Sequence, residues 1–305
     1  MKRQQNRIEG VVLVIKEKIY NLNNISMTVG SFAVEAMLYE VACYPSPGLV
    51  SPISQGAHKD MNYYTFIDSI MALNKYFPLF VQEGLGDGSY KKVFSSIRNI
   101  GIEAEKEMFR KTKGINTHKG MLFLMGISCA AVGKTIYEKK SFEDIKSIIQ
   151  EMTEGIVQQE LSTLSTKKEL SNGEKLYLKY ETKGIRGEVE EGIPIVFDFA
   201  LDFYRQAQDL SINDRLLHTL IGIMQTCDDT TILHRHSPEV LEEVKEKAKE
   251  IIKLGGMTTD LGRKKIKTLD GEFITKNISP GGSADLLGIT VFFHLVHNYM
   301  KNLYL

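Results

Sequence analysis

Apolar residues recur at three- and four-residue spacing along almost the whole chain, and that spacing commits it to a helical architecture. The pattern runs through residues 8–29, 32–43, 63–80, 93–109, 117–132, 142–159, 194–207, 212–224, 238–254 and 284–299. Each stretch carries an apolar stripe that must be buried against another. Ser237-Pro238 reads as an N-cap followed by proline at the first helical position. Only residues 175–180 alternate as a strand would, and they sit inside a polar excursion over 162–192. No β-α-β alternation, internal repeat, low-complexity tract or Pro/Ser linker is visible. The expected fold is therefore all-α, one multi-helix globular domain over residues 1–305, with its function in loops at helix N-termini.

Composition narrows the partners. Lys+Arg and Asp+Glu are both 38, so the formal net charge is zero. A chain that coats nucleic acid or anionic lipid would be cationic, so neither nucleic acid nor membrane is expected as a partner. An anionic substrate would need positive charge gathered locally. The three cysteines, Cys43, Cys129 and Cys227, are widely spaced and form no C-x-x-C pair, which disfavours a disulfide framework or a cysteine zinc site. The apolar run at 11–15 is too short for a signal-peptide core. The apolar stretches 121–133 and 286–296 fall short of the roughly 20 residues that cross a bilayer, and His294 interrupts the second. A cytoplasmic protein is expected.

Two segments imitate phosphate loops. Gly84, Gly86 and Gly88 have the wrong spacing for a dinucleotide fingerprint and follow no strand. Residues 131–135, AVGKT, end like a Walker A loop, but Ser128 stands where its first glycine belongs. Both read as turns and helix ends.

Four polar loops carry residues that packing does not require. The first has Glu40, the stiff Pro45-Ser46-Pro47-Gly48 turn, and then His58-Lys59-Asp60. Taken alone, it could be a connector with a surface charge cluster. The second, Gly114-Ile115-Asn116-Thr117-His118-Lys119-Gly120, opens a very apolar helix with Asn116 or Thr117 as its cap. It sets two cations in the first turn, where the helix dipole prefers anions. Phosphate held by helix N–H groups together with His118 and Lys119 would account for that violation, against a reading as snorkelling side chains. The third sets Arg186 between Gly184 and Gly187, with Glu188 as acid, base or metal ligand; three acids before Pro194 are also a common helix entrance. In the fourth, Gly281, Gly282 and Ser283 can form an anion cradle, with Asp285 placed to hold Mg2+. An ordinary capped helix would look similar. A weaker fifth site pairs Asp228 and Asp229 with His234-Arg235-His236.

As a set, the segments EVACYPSPGLVSPISQGAHKDM, GINTHKG, GIRGEVEEGIP, DDTTILHR and SPGGSADLL resemble the triphosphoribosyl-dephospho-CoA synthase family, in order and spacing, from about Glu35 to the C-terminus. The resemblance implies an all-α transferase that moves the 5-triphosphoribosyl group of ATP onto 3'-dephospho-CoA and releases adenine. The product would be the precursor of the prosthetic group on the acyl carrier protein of citrate lyase or malonate decarboxylase, passed on by an acyl-carrier-protein transferase. The sequence departs from the family pattern where Ser46 replaces a lysine, Ser51 an aspartate and Thr231 an asparagine, and where His236 and Ser237 replace glycines. A non-catalytic nucleotide- or CoA-binding relative is the alternative, and a homodimer is possible.

The implied chemistry is an inverting displacement at the ribose C1, which needs an acid for the departing base and a base for the incoming hydroxyl. Asp60 and Glu188 are the expected pair, with Glu40 as the substitute for either. His58, Lys59, Asn116, His118, Lys119, Arg186, Arg235 and the Gly281, Gly282, Ser283 cradle are the expected substrate contacts. Asp229 and Asp285 are the expected Mg2+ ligands. Since net charge is zero, His58, Lys119, Arg186 and Arg235 are expected to line one cleft into which the helices near Asn116 and Ser283 point.

Overall fold

The computed structural model describes residues 23–161, 164 and 170–303. Fifteen α-helices account for most of them: α1 (Asn24–Ala42), α2 (Tyr63–Leu73), α3 (Phe77–Gly84), α4 (Tyr90–Lys111), α5 (Lys119–Tyr137), α6 (Ile145–Thr153), α7 (Ile156–Leu161), α8 (Asn172–Tyr180), α9 (Gly184–Glu190), α10 (Leu201–Gln206), α11 (Ile212–Met224), α12 (Thr230–Arg235), α13 (Pro238–Lys253), α14 (Asp260–Lys276) and α15 (Gly281–Leu303). Pairing of extended backbone among the described residues is limited to one antiparallel bridge, Ser51 with Ser54. The all-α expectation holds.

Most starts are chemically marked. Asn23, Ser89, Ser211 and Thr259 accept from a backbone N–H in the first turn of α1, α4, α11 and α14. Asn62 with Thr65, and Ser171 with Glu174, form reciprocal capping boxes on α2 and α8. The Ser171 box decides the one segment whose alternation looks like a strand. Residues 175–180 are the body of α8, not a strand, because six residues of alternation are too few to outweigh a capped first turn. Elsewhere the long apolar stretches are subdivided: 142–159 becomes a 3-10 turn at Phe142–Asp144, α6 and α7, with Gly155 at φ +80° between the last two. The portion of the first apolar stretch before residue 23 lies outside the described residues.

α5 is apolar on every side and sits in the middle of the core, with α1, α3, α4 and α15 around it. Its approach to α3 is close enough to demand glycine. A Cβ on Gly84 would stand 2.1 Å from the Ala130 carbonyl oxygen, and one on Gly133 would stand 2.2 Å from that of Val81. The two phosphate-loop imitations thus meet as a helix crossing. Lys134 is buried there, bonded to the Gly86 carbonyl at 2.8 Å and Glu138 at 3.2 Å. α1 and α5, at 19 residues each, are long and apolar enough to cross a bilayer, although the apolar stretch 121–133 alone falls short. Both are packed into the core.

Candidate active site

The five polar segments are far apart in sequence and converge on one place, the N-terminus of α15. The first segment arrives through a rigid turn. Tyr44-Pro45 is cis, Asn213 holds the Tyr44 amide and carbonyl at 2.9 and 2.7 Å, and the Gly48 amide donates to buried Asp270 at 3.1 Å. Gly48 has φ +67°, and a Cβ there would collide with the Ile278 carbonyl oxygen at 2.0 Å. This turn therefore lies directly on the strandless run into α15. Ten residues on, His58 bonds to Ser279 at 3.0 Å through Nε2 and receives the Arg235 guanidinium at 3.1 Å through Nδ1. Arg235 also donates to the Ala57 carbonyl at 3.1 Å.

Arginine can only donate, so His58 Nδ1 is the acceptor and Nε2 carries the hydrogen that goes to Ser279. Burial and the adjacent Arg235 charge push the His58 pKa down to about 4. His58 is therefore a neutral link between Arg235 and the α15 entrance, which corrects its assignment as a cation. Asp60 stands 4.0 Å from it with 64% of its side chain exposed, and Lys59 is exposed beside it.

The fifth segment supplies Asp229, only 2% exposed. Its Oδ1 accepts the amides of Thr231 (3.0 Å) and Ile232 (3.3 Å), capping α12. Its Oδ2 accepts the Ser283 amide (2.8 Å) and hydroxyl (3.0 Å), capping α15. Burial raises its pKa against the pull of these donors. Gly281 and Gly282 lie against Thr231 and the Asp229 carboxylate, where a Cβ would come within 2.8 and 3.2 Å. The geometry corrects the reading of Asp229 as a metal ligand and of Gly281–Ser283 as a wholly free anion cradle. Both oxygens of Asp229 are engaged, and the Ser283 amide is already satisfied.

The second segment meets Asp285. A Cβ on Gly120 would lie 2.3 Å from Asp285 Oδ2, so the carboxylate rests on the first turn of α5. Asn116 caps that turn, accepting the Lys119 amide at 3.2 Å. The two expected cations do not serve as such. His118 is 2% exposed, bonded at Nδ1 to Ser69 (2.7 Å) and set edge-on to Phe66, and burial pushes its pKa down to about 3. Its neutrality removes the dipole conflict that the sequence suggested. Lys119 turns outward to Glu105 at 2.7 Å.

The third segment touches α12 at Gly184, where a Cβ would stand 3.1 Å from the Thr230 methyl. Arg186 is held by Glu160 at 2.7 Å, with Glu174 at 4.0 Å. Glu188 is half-buried and accepts the Ile195 amide at 3.1 Å. Burial, with Glu191, Asp228 and Asp198 nearby, pushes its pKa up to about 7. Cys227 is buried among these groups: burial and the charge of Asp229, with those of Glu188 and Asp228, raise its thiol pKa, while the Ser283 hydroxyl lowers it.

Glu40 completes the centre from α1. It is 6% exposed, its Cβ faces Gly288 of α15, and burial pushes its pKa up to about 8. Asp285 is driven well above the carboxylate range by burial, by Glu40 and by Asp229. No donor or cation among the described residues reaches the Glu40 or Asp285 carboxyl group. Positive charge was expected to gather here, yet the centre is acidic: Arg235 is the one predicted cation bonded directly at the α15 entrance, while Lys119 and Arg186 are engaged by glutamates. Two unpartnered acids in one desolvated centre hold their protons near neutrality, and a bound cation would let them ionise. Sequence reasoning missed Ser69, Cys227, Asn213, Asp270 and Ser279. Only Ser279, inside the SPGGS segment, carried any local signal.

Comparison with known proteins gives a consistent picture. The family described as ATP:dephospho-CoA triphosphoribosyl transferase matches residues 26–303. A protein named probable 2-(5''-triphosphoribosyl)-3'-dephosphocoenzyme-A synthase from Malonomonas rubra is 40% identical over 287 residues, covering 92% of this chain and 91% of its own. One of the same name from Lactiplantibacillus plantarum is 40% identical over 271 residues, covering 86% and 95%. Protein CitXG of Leuconostoc mesenteroides subsp. cremoris is 39% identical over 271 residues, 85% of this chain but 57% of that longer protein.

Proposed function

The chain belongs to the ATP:dephospho-CoA triphosphoribosyl transferase family and is a triphosphoribosyl-dephospho-CoA synthase, and on that premise we propose how its acidic centre carries out the transfer. A hydroxyl of 3'-dephospho-CoA attacks C1 of the ATP ribose; the bond from C1 to the adenine nitrogen breaks as the new C–O bond forms. The departing base takes a proton, and the incoming hydroxyl gives one up. Glu188, pushed up to about 7, is a carboxyl that still holds a proton near neutrality, and we assign it the donation to adenine. We assign the uptake of the hydroxyl proton to the exposed carboxylate of Asp60, because Glu40, pushed up to about 8, itself still holds a proton near neutrality. His58 and Arg235 are left to orient the substrate at the α15 entrance.

The observation that carries this reading is the unpartnered pair of carboxyl groups, Glu40 and Asp285, at a helix N-terminus. Hard oxygen donors without a protein partner fit Mg2+, which is commonly bound by one or two carboxylates together with substrate phosphates. Asp285 would hold it, and Asp229 would not. Mg2+ bound there would offset the triphosphate charge and let it approach an otherwise repelling centre. Arg235, bonded at the α15 entrance, would complete the phosphate contacts.

The departures at Ser46 and Ser51 lie in this region. Both are buried, and Ser51 Oγ has no partner among the described residues. We further propose that the product serves the acyl carrier protein of citrate lyase or malonate decarboxylase, through a separate acyl-carrier-protein transferase. The cytoplasm suits both the ATP requirement and the three buried free thiols. Incubation with ATP, Mg2+ and 3'-dephospho-CoA should yield free adenine and the triphosphoribosyl adduct by mass analysis. A regulatory binder built on the same fold would release no adenine, and a phosphotransferase would release ADP or pyrophosphate instead.

A further inference from the structure

A second set of unpaired polar groups lies farther along α15, around the His294 that interrupts its apolar run. His294 is nine residues beyond Asp285, about 13 Å along the helix axis at 1.5 Å per residue. Its Nε2 meets the Asn298 amide nitrogen at 3.2 Å. That nitrogen can only donate, so Nε2 is the acceptor and the ring hydrogen sits on Nδ1. Nδ1 is buried and has no partner among the described residues.

Burial pushes the His294 pKa down to about 4, helped by the charges of Arg215, Arg205 and His297. The Arg205 Nη1 is occupied by Asp202 at 3.2 Å. Its Nε and Nη2 are buried and bonded to nothing among the described residues. Those two nitrogens form one edge of the guanidinium and present parallel N–H bonds. That edge is the fork that takes two oxygens of a single oxyanion. The Phe142 ring lies 5.8 Å from the guanidinium carbon, supporting the plane without offering a lone pair. Arg215 is stacked 3.7 Å over Tyr204, whose ring is in turn 5.1 Å from that of His294. Buried donors are nearly always satisfied, so three orphans between the Phe142 and Tyr204 rings, with Asp202 and Glu143 as the acids alongside, mark a place built for an acceptor.

We propose that His294 and Arg205, with Arg215 beside them, bind a phosphate-type oxyanion at a site separate from the acidic centre. The Nε/Nη2 edge of Arg205 takes two oxygens, and His294 Nδ1 donates to a third or to one of the same pair. The oxyanion is either a phosphate of 3'-dephospho-CoA or a free one. The proposal does not depend on adenine release.

The test is calorimetric titration of the full chain with pyrophosphate, and separately with 3'-dephospho-CoA. The proteins are the wild type, Arg205→Lys, which keeps the charge but loses the fork, and His294→Phe, which keeps the ring but loses the donor. Pyrophosphate affinity at this site should fall at least tenfold in both variants, or one equivalent should disappear from the stoichiometry. A parallel loss for 3'-dephospho-CoA assigns the oxyanion to that substrate; loss for pyrophosphate alone makes it a free ion. Unchanged pyrophosphate binding in both folded variants overturns the site. If one variant fails to fold, the other decides the question by the same readout.

Discussion

Asp229 joins two helix starts with one carboxylate: Oδ1 caps α12 through Thr231 and Ile232, and Oδ2 holds both the amide and the hydroxyl of Ser283 at the head of α15. The residue that sequence reasoning put on a metal is thus the clamp that sets the position of Asp285, two residues further on.

Asp229→Asn should show this clamping role in stability. The new amide nitrogen must face donors on one side, leaving at least one buried N–H without an acceptor, at a cost of about 1–3 kcal/mol. The urea midpoint should drop accordingly, and adenine release should fall with it. A variant with wild-type stability and weakened Mg2+ binding would instead restore Asp229 as a metal ligand.

Gly120→Ala separates function from stability. Gly120 is the second residue of α5 and the atom its methyl displaces belongs to a side chain, so the variant should still fold, with melting unchanged or slightly lower. The added methyl stands where Asp285 Oδ2 now lies, 2.3 Å away, and the short carboxylate must rotate off α5. Adenine release should decline strongly in a fully folded protein. Full activity would show that the Asp285 position is not needed.

Mg2+ should stabilise the chain in the presence of ATP, because it relieves the unpartnered Asp285 and Glu40 groups. Binding to the native state at 100 times the dissociation constant adds about 2.7 kcal/mol. The thermal midpoint should rise with Mg2+ and ATP in the wild type, shift little in Asp285→Asn, and return to its starting value on chelation. An equal rise in Asp285→Asn would place the ion elsewhere.

Glu188 gives a signed pH dependence. Its folded pKa, about 7, exceeds its ordinary 4.5, so the folded chain holds an extra proton between those values. Stability from this group is fully present below pH 4.5 and declines as pH rises through about 7. As the acid for adenine, it should also make the rate fall above that pH. Glu188→Gln should flatten this part of the stability profile and cut adenine release by roughly 10²–10⁴-fold while ATP still binds. Normal turnover in the variant would remove Glu188 from the chemistry.

The helical class and the order of the five polar segments were readable directly, because each depends on neighbours within a few residues. A stripe repeating every three or four positions encodes a buried face whatever lies across from it. Residues 175–180 alternate as a strand would because six residues suit either period, and the Ser171–Glu174 box that settles the matter lies outside the alternating run. What each polar side chain does was decided only by the tertiary structure. His58 and His118 are neutral because distant segments bury them. Lys119 and Arg186 are engaged because Glu105 and Glu160 arrive from α4 and α7. Asp229 is saturated while Glu40 and Asp285 are left without partners, although the three look alike as letters. Protonation and pairing depend on desolvation and on charges brought within a few ångströms by folding, and no local period in the chain carries that information.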